Sequence, residues 1–224
     1  MISSCQGIVI SSIPYSENSL ICKIYTRPYG LNSFLIKGAK TSKARKSGLL
    51  RPLQPIEITH YRSAKSSLHL VKELAAIFPL VDVSASPEKT CISLFIAEVI
   101  HKTLSENMED ERLFEFLLHS VRFLELSKDH YVNFHLQFLL QYFRNCGFFP
   151  DLNEIKTSNP PRQAIPVSSF LEQIIENPLY NNIVNGTNQE RKHALHWLIA
   201  FLMSQYDHTF EIKSLPVLES VFHF

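Results

Sequence analysis

The chain has 224 residues, 45% of them hydrophobic, and a formal net charge of +1, which suits one large core or two to three small ones. It contains no apolar run near the roughly 20 residues that span a bilayer, and its N-terminus lacks the features of a signal peptide. Four cysteines without CxxC spacing favour buried thiols over disulfides or a zinc knuckle, so we expect a cytoplasmic protein without membrane contact.

The sequence predicts a small β-barrel for the first module, about residues 1–80. Five short runs are β-branched or alternate apolar with polar residues, as strands do: residues 6–11, 20–26, 31–37, 56–61 and 68–75. The tetrapeptide Arg27-Pro28-Tyr29-Gly30 predicts a tight turn between the second and third strands, and residues 63–67 predict one between the last two. Five strands with one long loop favour an OB-fold, and an SH3-like barrel stays open.

The loop between the third and fourth strands is strongly basic. Residues 37–51, KGAKTSKARKSGLLR, contain six cations and no acid: Lys37, Lys40, Lys43, Arg45, Lys46 and Arg51. Residues 1–75 together carry a net charge of +8, against −7 for the rest of the chain. A solubilising surface loop can also be rich in lysine. The length of this acid-free segment within a basic module favours contact with a nucleic-acid backbone.

Base stacking on aromatic side chains usually accompanies such a cationic groove. Tyr25 alternates onto the same strand face as Lys23, so we expect it to be exposed and available for stacking, with Arg27 nearby. Phe34 lies in an apolar strand and is expected in the core. The predicted DNA contacts are therefore the six cations of the basic loop together with Arg27 and Tyr25.

The hydrophobic period changes from that of strands to that of helices after Pro79. Ser86 and Pro87 predict an N-cap and first helical residue. Three main helices follow, ending near residue 105, after Leu124 and at Gly147, and shorter ones are expected at residues 169–176 and 188–207. We expect an α+β protein with an OB-fold DNA-binding domain at residues 1–80. An all-α helical bundle domain follows at residues 81–224.

The order of several motifs resembles the RecO family of bacterial recombinational repair mediators. The motifs are GIVI, YSENS, the segment from Thr26 to Gly30, the basic KGAKTS and LQP in the first module. The second contains FLLQYFRNCGFFPDL and a terminal LPVLESVF. Together they cover nearly the whole chain. Many members carry a four-cysteine zinc module just after the position of the FFPDL motif, but residues 151–166 contain no cysteine here, so we expect no structural zinc and no other cofactor.

The resemblance implies a protein without catalysis that binds single- and double-stranded DNA and anneals complementary strands. It further implies action with RecR in loading RecA onto strands coated by the single-strand-binding protein SSB, whose acidic C-terminal tail is an implied partner. In the cell it implies a cytoplasmic, nucleoid-associated protein. Lys and Arg side chains on phosphates position a strand without reading its sequence, so binding is expected to be independent of sequence.

The sequence does not support the three enzyme motifs that it superficially suggests, a P-loop, a histidine metal site and an acidic metal site. A P-loop needs glycine directly before its lysine, and Ala39 precedes Lys40. His193 and His196 are three residues apart on a helix but have no evident third metal ligand, which favours surface histidines. The acidic residues 109–111 sit at a predicted helix start, where they favour the helix dipole.

One alternative function stays open at this point. The chain could be a protein-interaction adaptor whose basic loop meets an acidic partner. Such a partner peptide would require an apolar groove rimmed by Arg or Lys. Arg122, Lys128 and Arg144 are candidate rim residues in the helical part of the chain.

Overall fold

The computed structural model describes residues 2–39, 47–62, 67–129, 131–150, 169–178, 180, 183–207 and 209–223. The chain divides into two compact units, Met1–Glu125 and Leu126–Phe224. The change from strands to helices falls between residues 76 and 81, close to the expected domain boundary at residue 80, so the first unit contains the barrel and most of the first three helices. The division at residues 1–80 and 81–224 stays a prediction.

Five strands close into a barrel. They are β1 (Ile2–Ser16), β2 (Ser19–Thr26), β3 (Gly30–Lys37), β4 (Pro55–Tyr61) and β5 (Leu68–Ala76), in the order β1-β2-β3-β5-β4. All neighbouring strands are antiparallel except β3 and β5, which pair in parallel with Leu35 opposite Leu70. This order and closure are those of an OB-fold, so the structure confirms the predicted fold class over the SH3-like alternative.

The barrel interior is filled by alternate residues of every strand. Val9, Cys22, Ile24, Phe34, Ile36, Ile56 and Ile58 form one buried cluster. Ala39 and Leu50, which lie near the two ends of the basic loop, belong to the same cluster and are 1% and 3% exposed. The loop therefore leaves the barrel and returns to it at two positions that apolar packing anchors.

The remainder of the first unit is helical. A 3-10 helix (Ser47–Leu50) ends the basic loop, and α1 (Val81–Ala85), α2 (Pro87–Thr103) and α3 (Glu111–Leu126) follow the barrel. Ser86 caps α2 as expected, since its side chain accepts a hydrogen bond from the Lys89 backbone N–H at 3.2 Å. The five-residue α1 and the 3-10 helix were not expected from the sequence.

The segment before α3 is docked on the barrel. Glu106 forms a parallel bridge to Leu31, and the Asn107 N–H donates to the Leu31 carbonyl at 3.1 Å. Gly30 makes this approach possible because any Cβ there would collide with the backbone of Met108, and its φ of 64° also suits glycine.

The second unit contains four helices within the described residues. They are α4 (Phe134–Asn145), α5 (Ser169–Glu176), α6 (Asn188–Ser204) and α7 (Leu215–Phe222). Aromatic side chains dominate its core, for example Phe138 stacked on Tyr142 with centroids 5.8 Å apart. Thr187 and Glu190 form a capping box at the start of α6, and Gly147 follows α4 with a φ of 87°. Among the described helices, none is both long and apolar enough to cross a bilayer.

Candidate nucleic-acid interface

The basic loop begins at the exposed end of β3. Lys37, the last residue of that strand, is exposed. Four of the predicted contacts, Lys40, Lys43, Arg45 and Lys46, lie outside the described residues. Arg51 is exposed just after the 3-10 helix, and its guanidinium donates a hydrogen bond to the Ser84 hydroxyl of α1. The described ends of the loop thus place one cation at the end of β3 and one beside α1.

Two cations outside the basic loop, Lys23 within β2 and Arg27 just after it, form ion pairs with acidic side chains of the protein. Lys23 forms an ion pair with Glu106. Arg27 contacts Glu111 and Glu115 of α3 at 2.6 and 2.5 Å, and its Cζ lies 4.8 Å from the centre of the Phe114 ring. A phosphate would have to compete with these carboxylates for Arg27. The predicted contact by Arg27 therefore carries an electrostatic cost that the sequence did not reveal.

The predicted exposure of Tyr25 is wrong. Its side chain is 1% exposed, its ring stacks on Phe114 with centroids 6.3 Å apart, and its hydroxyl donates to the Asp110 carbonyl at 3.2 Å. Strand alternation does turn Tyr25 away from the barrel interior, as the sequence predicts, because the neighbouring Ile24 belongs to the interior cluster. However, α3 covers this outward side, so no ring face is open for a base. Phe34 is fully buried, as expected.

Two other barrel tyrosines are the exposed ones. Tyr15 near the end of β1 is 60% exposed and Tyr61 at the end of β4 is 44% exposed. Tyr29 is partly covered, because the Arg62 guanidinium lies 3.9 Å above its ring. The sequence contained a signal for Tyr61, since the neighbouring Ile58 and His60 alternate into the interior.

Two histidines line the barrel interior without adding positive charge. His60 and His69 are buried, with ring centroids 5.5 Å apart, and the Phe34 ring meets His60 edge-on at 5.2 Å. Burial lowers the pKa of His60, and the neighbouring His69 lowers it further. Burial and the charge of Arg62 lower the pKa of His69. Both rings are therefore neutral near pH 7, and the basic character of this module comes from Lys and Arg.

Three of the residues considered for metal binding or catalysis have structural roles, whereas His193 is exposed on α6. His196 pairs with Glu219, Asp110 caps α3 by accepting from the Leu113 N–H at 3.0 Å, and Glu111 binds Arg27. Across the described ranges, no group of three or more His, Cys, Asp or Glu side chains could hold a metal ion. Residues 151–166, for which the sequence predicts no zinc module, lie outside those ranges.

A groove lies beside Arg51 in the first unit. Its volume is about 260 Å³, and it is lined by Arg51, Pro52, Leu80, Val83, Ser84, Thr90, Ser93 and Leu94. Leu94 is 40% exposed. The floor is mainly apolar, and Arg51 supplies a cation at the rim. The rim residues suggested by the sequence lie elsewhere: Arg122 stands over Phe78 and Arg144 over Phe149.

Comparison with known proteins identifies relatives for both modules. Residues 1–79 match the family model described as "Recombination protein O N terminal", and residues 84–200 match "Recombination protein O C terminal". The DNA repair protein RecO of Flavobacterium psychrophilum is 31% identical over 235 residues, which cover 97% of this chain and 98% of that protein. The RecO of Azobacteroides pseudotrichonymphae is 28% identical over 99% of this chain.

The alignment to another relative is shorter. With the DNA repair protein RecO of Bacteroides fragilis, identity is 34% over 155 residues, 69% of this chain. The aligned part of the chain spans 64% of that relative's length.

Proposed function

The chain belongs to the RecO family, and from this membership we propose that it is a non-catalytic DNA-binding mediator of recombinational repair. It binds single- and double-stranded DNA, anneals complementary strands, and acts with RecR to help load RecA onto SSB-coated DNA. Its place in the cell is the cytoplasm, in association with the nucleoid. Annealing makes no covalent bond; it needs charge neutralisation, which lowers the repulsion between strands, and exposed bases that can pair.

One observation carries the proposal. An OB-type barrel holds, between the core residues Ala39 and Leu50, a segment with four of the six cations and no acid, and the other two cations, Lys37 and Arg51, lie just outside it. OB-folds commonly bind single strands by combining such a cationic surface with stacking platforms. Lys37, Lys40, Lys43, Arg45, Lys46 and Arg51 are the proposed phosphate contacts. Arg27 would join them if a strand displaces Glu111 and Glu115.

The test is fluorescence anisotropy of labelled single- and double-stranded oligonucleotides across a salt series. The wild type is compared with the variant Lys43→Ala/Arg45→Ala/Lys46→Ala. Each lost phosphate contact lowers the log–log salt slope by about 0.7 on a single strand and about 0.9 on a duplex, so the variant should lose about two to three units of slope. A wild-type affinity and slope in this variant would remove the loop from the interface.

The matched control is Lys102→Ala/Arg112→Ala/Lys128→Ala, which removes the same charge from exposed positions outside the barrel. It should retain most of the wild-type slope, because phosphate contacts act locally while net charge acts weakly at distance. Equal losses in both variants would mean that net charge alone governs binding.

The groove beside Arg51 favours a second candidate function, docking of an acidic peptide such as the SSB tail. An apolar floor with one guanidinium at its rim suits a short peptide that carries a carboxylate and an apolar side chain. Leu94→Ser should weaken binding of a labelled SSB-tail peptide while DNA binding stays unchanged. Val217→Ser, at an exposed valine of the second unit, is the control. Undiminished peptide binding by Leu94→Ser would exclude this groove.

A further inference from the structure

A pocket opens on the second unit beside the first turns of α4 and α6. Its volume is about 290 Å³, close to the lower end of the range for small-molecule sites. Its walls combine the polar side chains of Asn133 and Arg191 with the apolar ones of Val132, Ile183 and Val184. The pocket therefore offers one cation and an apolar surface to a small ligand.

The guanidinium of Arg191 is fixed by two asparagines. Its Nε–H donates to Asn133 Oδ1 at 2.8 Å, and its Nη1–H donates to Asn188 Oδ1 at 3.3 Å. Asn133 is itself held in place, because it is 8% exposed and its amide donates to the Val184 carbonyl at 2.6 Å. Nη2 has no acceptor among the described residues. The guanidinium is thus oriented in advance, with donors left for a ligand.

No acidic side chain forms an ion pair with this guanidinium within the described part of the chain. The adjacent Glu190 is engaged in the capping box, since its carboxylate accepts from the Thr187 N–H and hydroxyl at 2.7 and 2.9 Å. Burial lowers the pKa of Arg191, and the charge of Glu190 only partly opposes this shift. A half-buried cation without a counter-ion costs free energy, which a bound anion would offset.

Asp129 restricts which anion fits the pocket. Its exposed carboxylate lines the same pocket and would repel a ligand that carries a second negative charge. Ile183 and Val132 are 67% and 37% exposed and form an apolar rim, and Val184 is buried. A ligand with one negative charge and an apolar body matches this lining, whereas a phosphate dianion does not.

We infer that this pocket binds a small organic monocarboxylate. The carboxylate accepts hydrogen bonds from the Nη1 and Nη2 groups of Arg191, because the planar guanidinium matches its two oxygens. The apolar body of the ligand lies against Val132, Ile183 and Val184. This site uses no residue of the barrel, so the inference goes beyond the proposed function and does not depend on DNA binding.

Size and charge favour a small molecule over an acidic peptide at this pocket. A bound peptide needs a groove long enough for several side chains, and the apolar rim here consists of only two. An acidic peptide would also place further carboxylates close to Asp129.

The test is an NMR titration of the intact, ¹⁵N-labelled chain that follows the Nε–H signals of its arginines. Three probes are added separately: 4-methylpentanoate, its neutral isostere 4-methylpentanamide, and inorganic phosphate. The carboxylate should shift one signal, assigned to Arg191 by its loss in Arg191→Lys, with a Kd of about 1 mM. The amide and phosphate should bind at least about tenfold more weakly. Equal binding of the carboxylate and the amide, or no binding of the carboxylate, would overturn the inference.

Two variants locate the site, and their binding is followed through backbone amide signals. Arg191→Lys keeps the positive charge but loses the planar fork, so it should weaken 4-methylpentanoate binding about tenfold. Ile183→Glu adds a carboxylate at the exposed rim, where it leaves the core intact, and should weaken binding about fivefold. The matched control, Val217→Glu, changes another exposed apolar residue of the second unit and should bind as the wild type does.

Two further outcomes would show that the assignment is wrong. The first is wild-type affinity in both Arg191→Lys and Ile183→Glu, or a loss of affinity in Val217→Glu equal to that in Ile183→Glu. The second is displacement of 4-methylpentanoate from the wild type by an SSB-tail peptide, which would make the pocket a peptide-docking site.

Discussion

The hydroxyl of Tyr25 on β2 donates a hydrogen bond to the backbone carbonyl of Asp110, the residue before α3. The Tyr25 ring stacks on Phe114 one turn further along. A side chain that alternation turns outward from the barrel is therefore buried between the barrel and a helix. Tyr25 joins the two parts of the first unit.

Substitutions at Tyr25 should change stability and leave DNA binding intact. Tyr25→Phe removes only the hydroxyl, and the Asp110 carbonyl still accepts from the Phe114 N–H at 3.0 Å, so the loss should be about 0.5–1 kcal/mol. Tyr25→Ala removes the buried ring and should cost about 3–5 kcal/mol. Urea unfolding followed by far-UV circular dichroism measures both. Reduced DNA affinity in a fully folded Tyr25→Phe protein would contradict this structural role.

Releasing Arg27 from its acids should strengthen DNA binding. In Glu111→Gln/Glu115→Gln both carboxylates are lost, so the guanidinium becomes available to a phosphate. If Arg27 then contacts DNA, the magnitude of the salt slope should rise by about 0.7–0.9. Anisotropy over a salt series gives this slope.

A control for charge is Glu176→Gln/Glu211→Gln, at two exposed glutamates of the second unit, which changes the net charge equally. It should leave the slope near its wild-type value. A slope that stays unchanged in the Glu111/Glu115 variant would remove Arg27 from the set of phosphate contacts.

Glu125 should stabilise α1 by capping its N-terminus, although it lies 44 residues after Val81 in the sequence. Its carboxylate accepts hydrogen bonds from the backbone N–H groups of Val81, Asp82 and Val83 at 2.8, 2.9 and 3.0 Å. The residue before this helix, Leu80, offers no side-chain cap. Loss of these acceptors in Glu125→Ala should cost about 1–2 kcal/mol, as loss of an N-cap does. Glu125→Gln, which retains one acceptor oxygen, should cost less. Urea unfolding of both variants tests this order, and a cost below about 0.3 kcal/mol for Glu125→Ala would refute it.

Acid should destabilise the second unit through His135. This residue of α4 is fully buried, and its ring lies 5.5 Å from Phe222. Burial, with a smaller effect of Arg191, lowers its pKa from 6.5 to about 3. Between these values the unfolded chain binds a proton that the folded unit does not, so stability is full above about pH 6.5 and falls as the pH drops. The slope for one histidine is about 1.4 kcal/mol per pH unit.

The single tryptophan allows a selective measurement. Trp197 lies in α6 of the same unit and is 7% exposed, so its fluorescence reports unfolding there. In His135→Gln the slope of unfolding free energy between pH 5 and 6 should be smaller by about 1 kcal/mol per pH unit. An identical slope in wild type and variant would show that another group titrates. His60 and His69, also with lowered pKa values, belong to the first unit and should not affect this signal.

Local patterns in the sequence determined most elements. The five strands follow from β-branched alternation, and the start of α2 from Ser86 and Pro87, because strand alternation and helix capping depend on neighbouring residues. The sequence also located the basic loop, since charge composition needs no tertiary information. It missed α1 because a five-residue helix has little intrinsic stability, and its cap, Glu125, is 44 residues away from Val81.

Other features depended on which distant segments meet. The parallel pairing of β3 with β5 decided between an OB-fold and an SH3-like barrel, and the docking of α3 decided that Tyr25 is buried. Alternation determines which side of a strand a residue occupies, but only tertiary packing determines whether that side is covered by a helix or left open to a ligand.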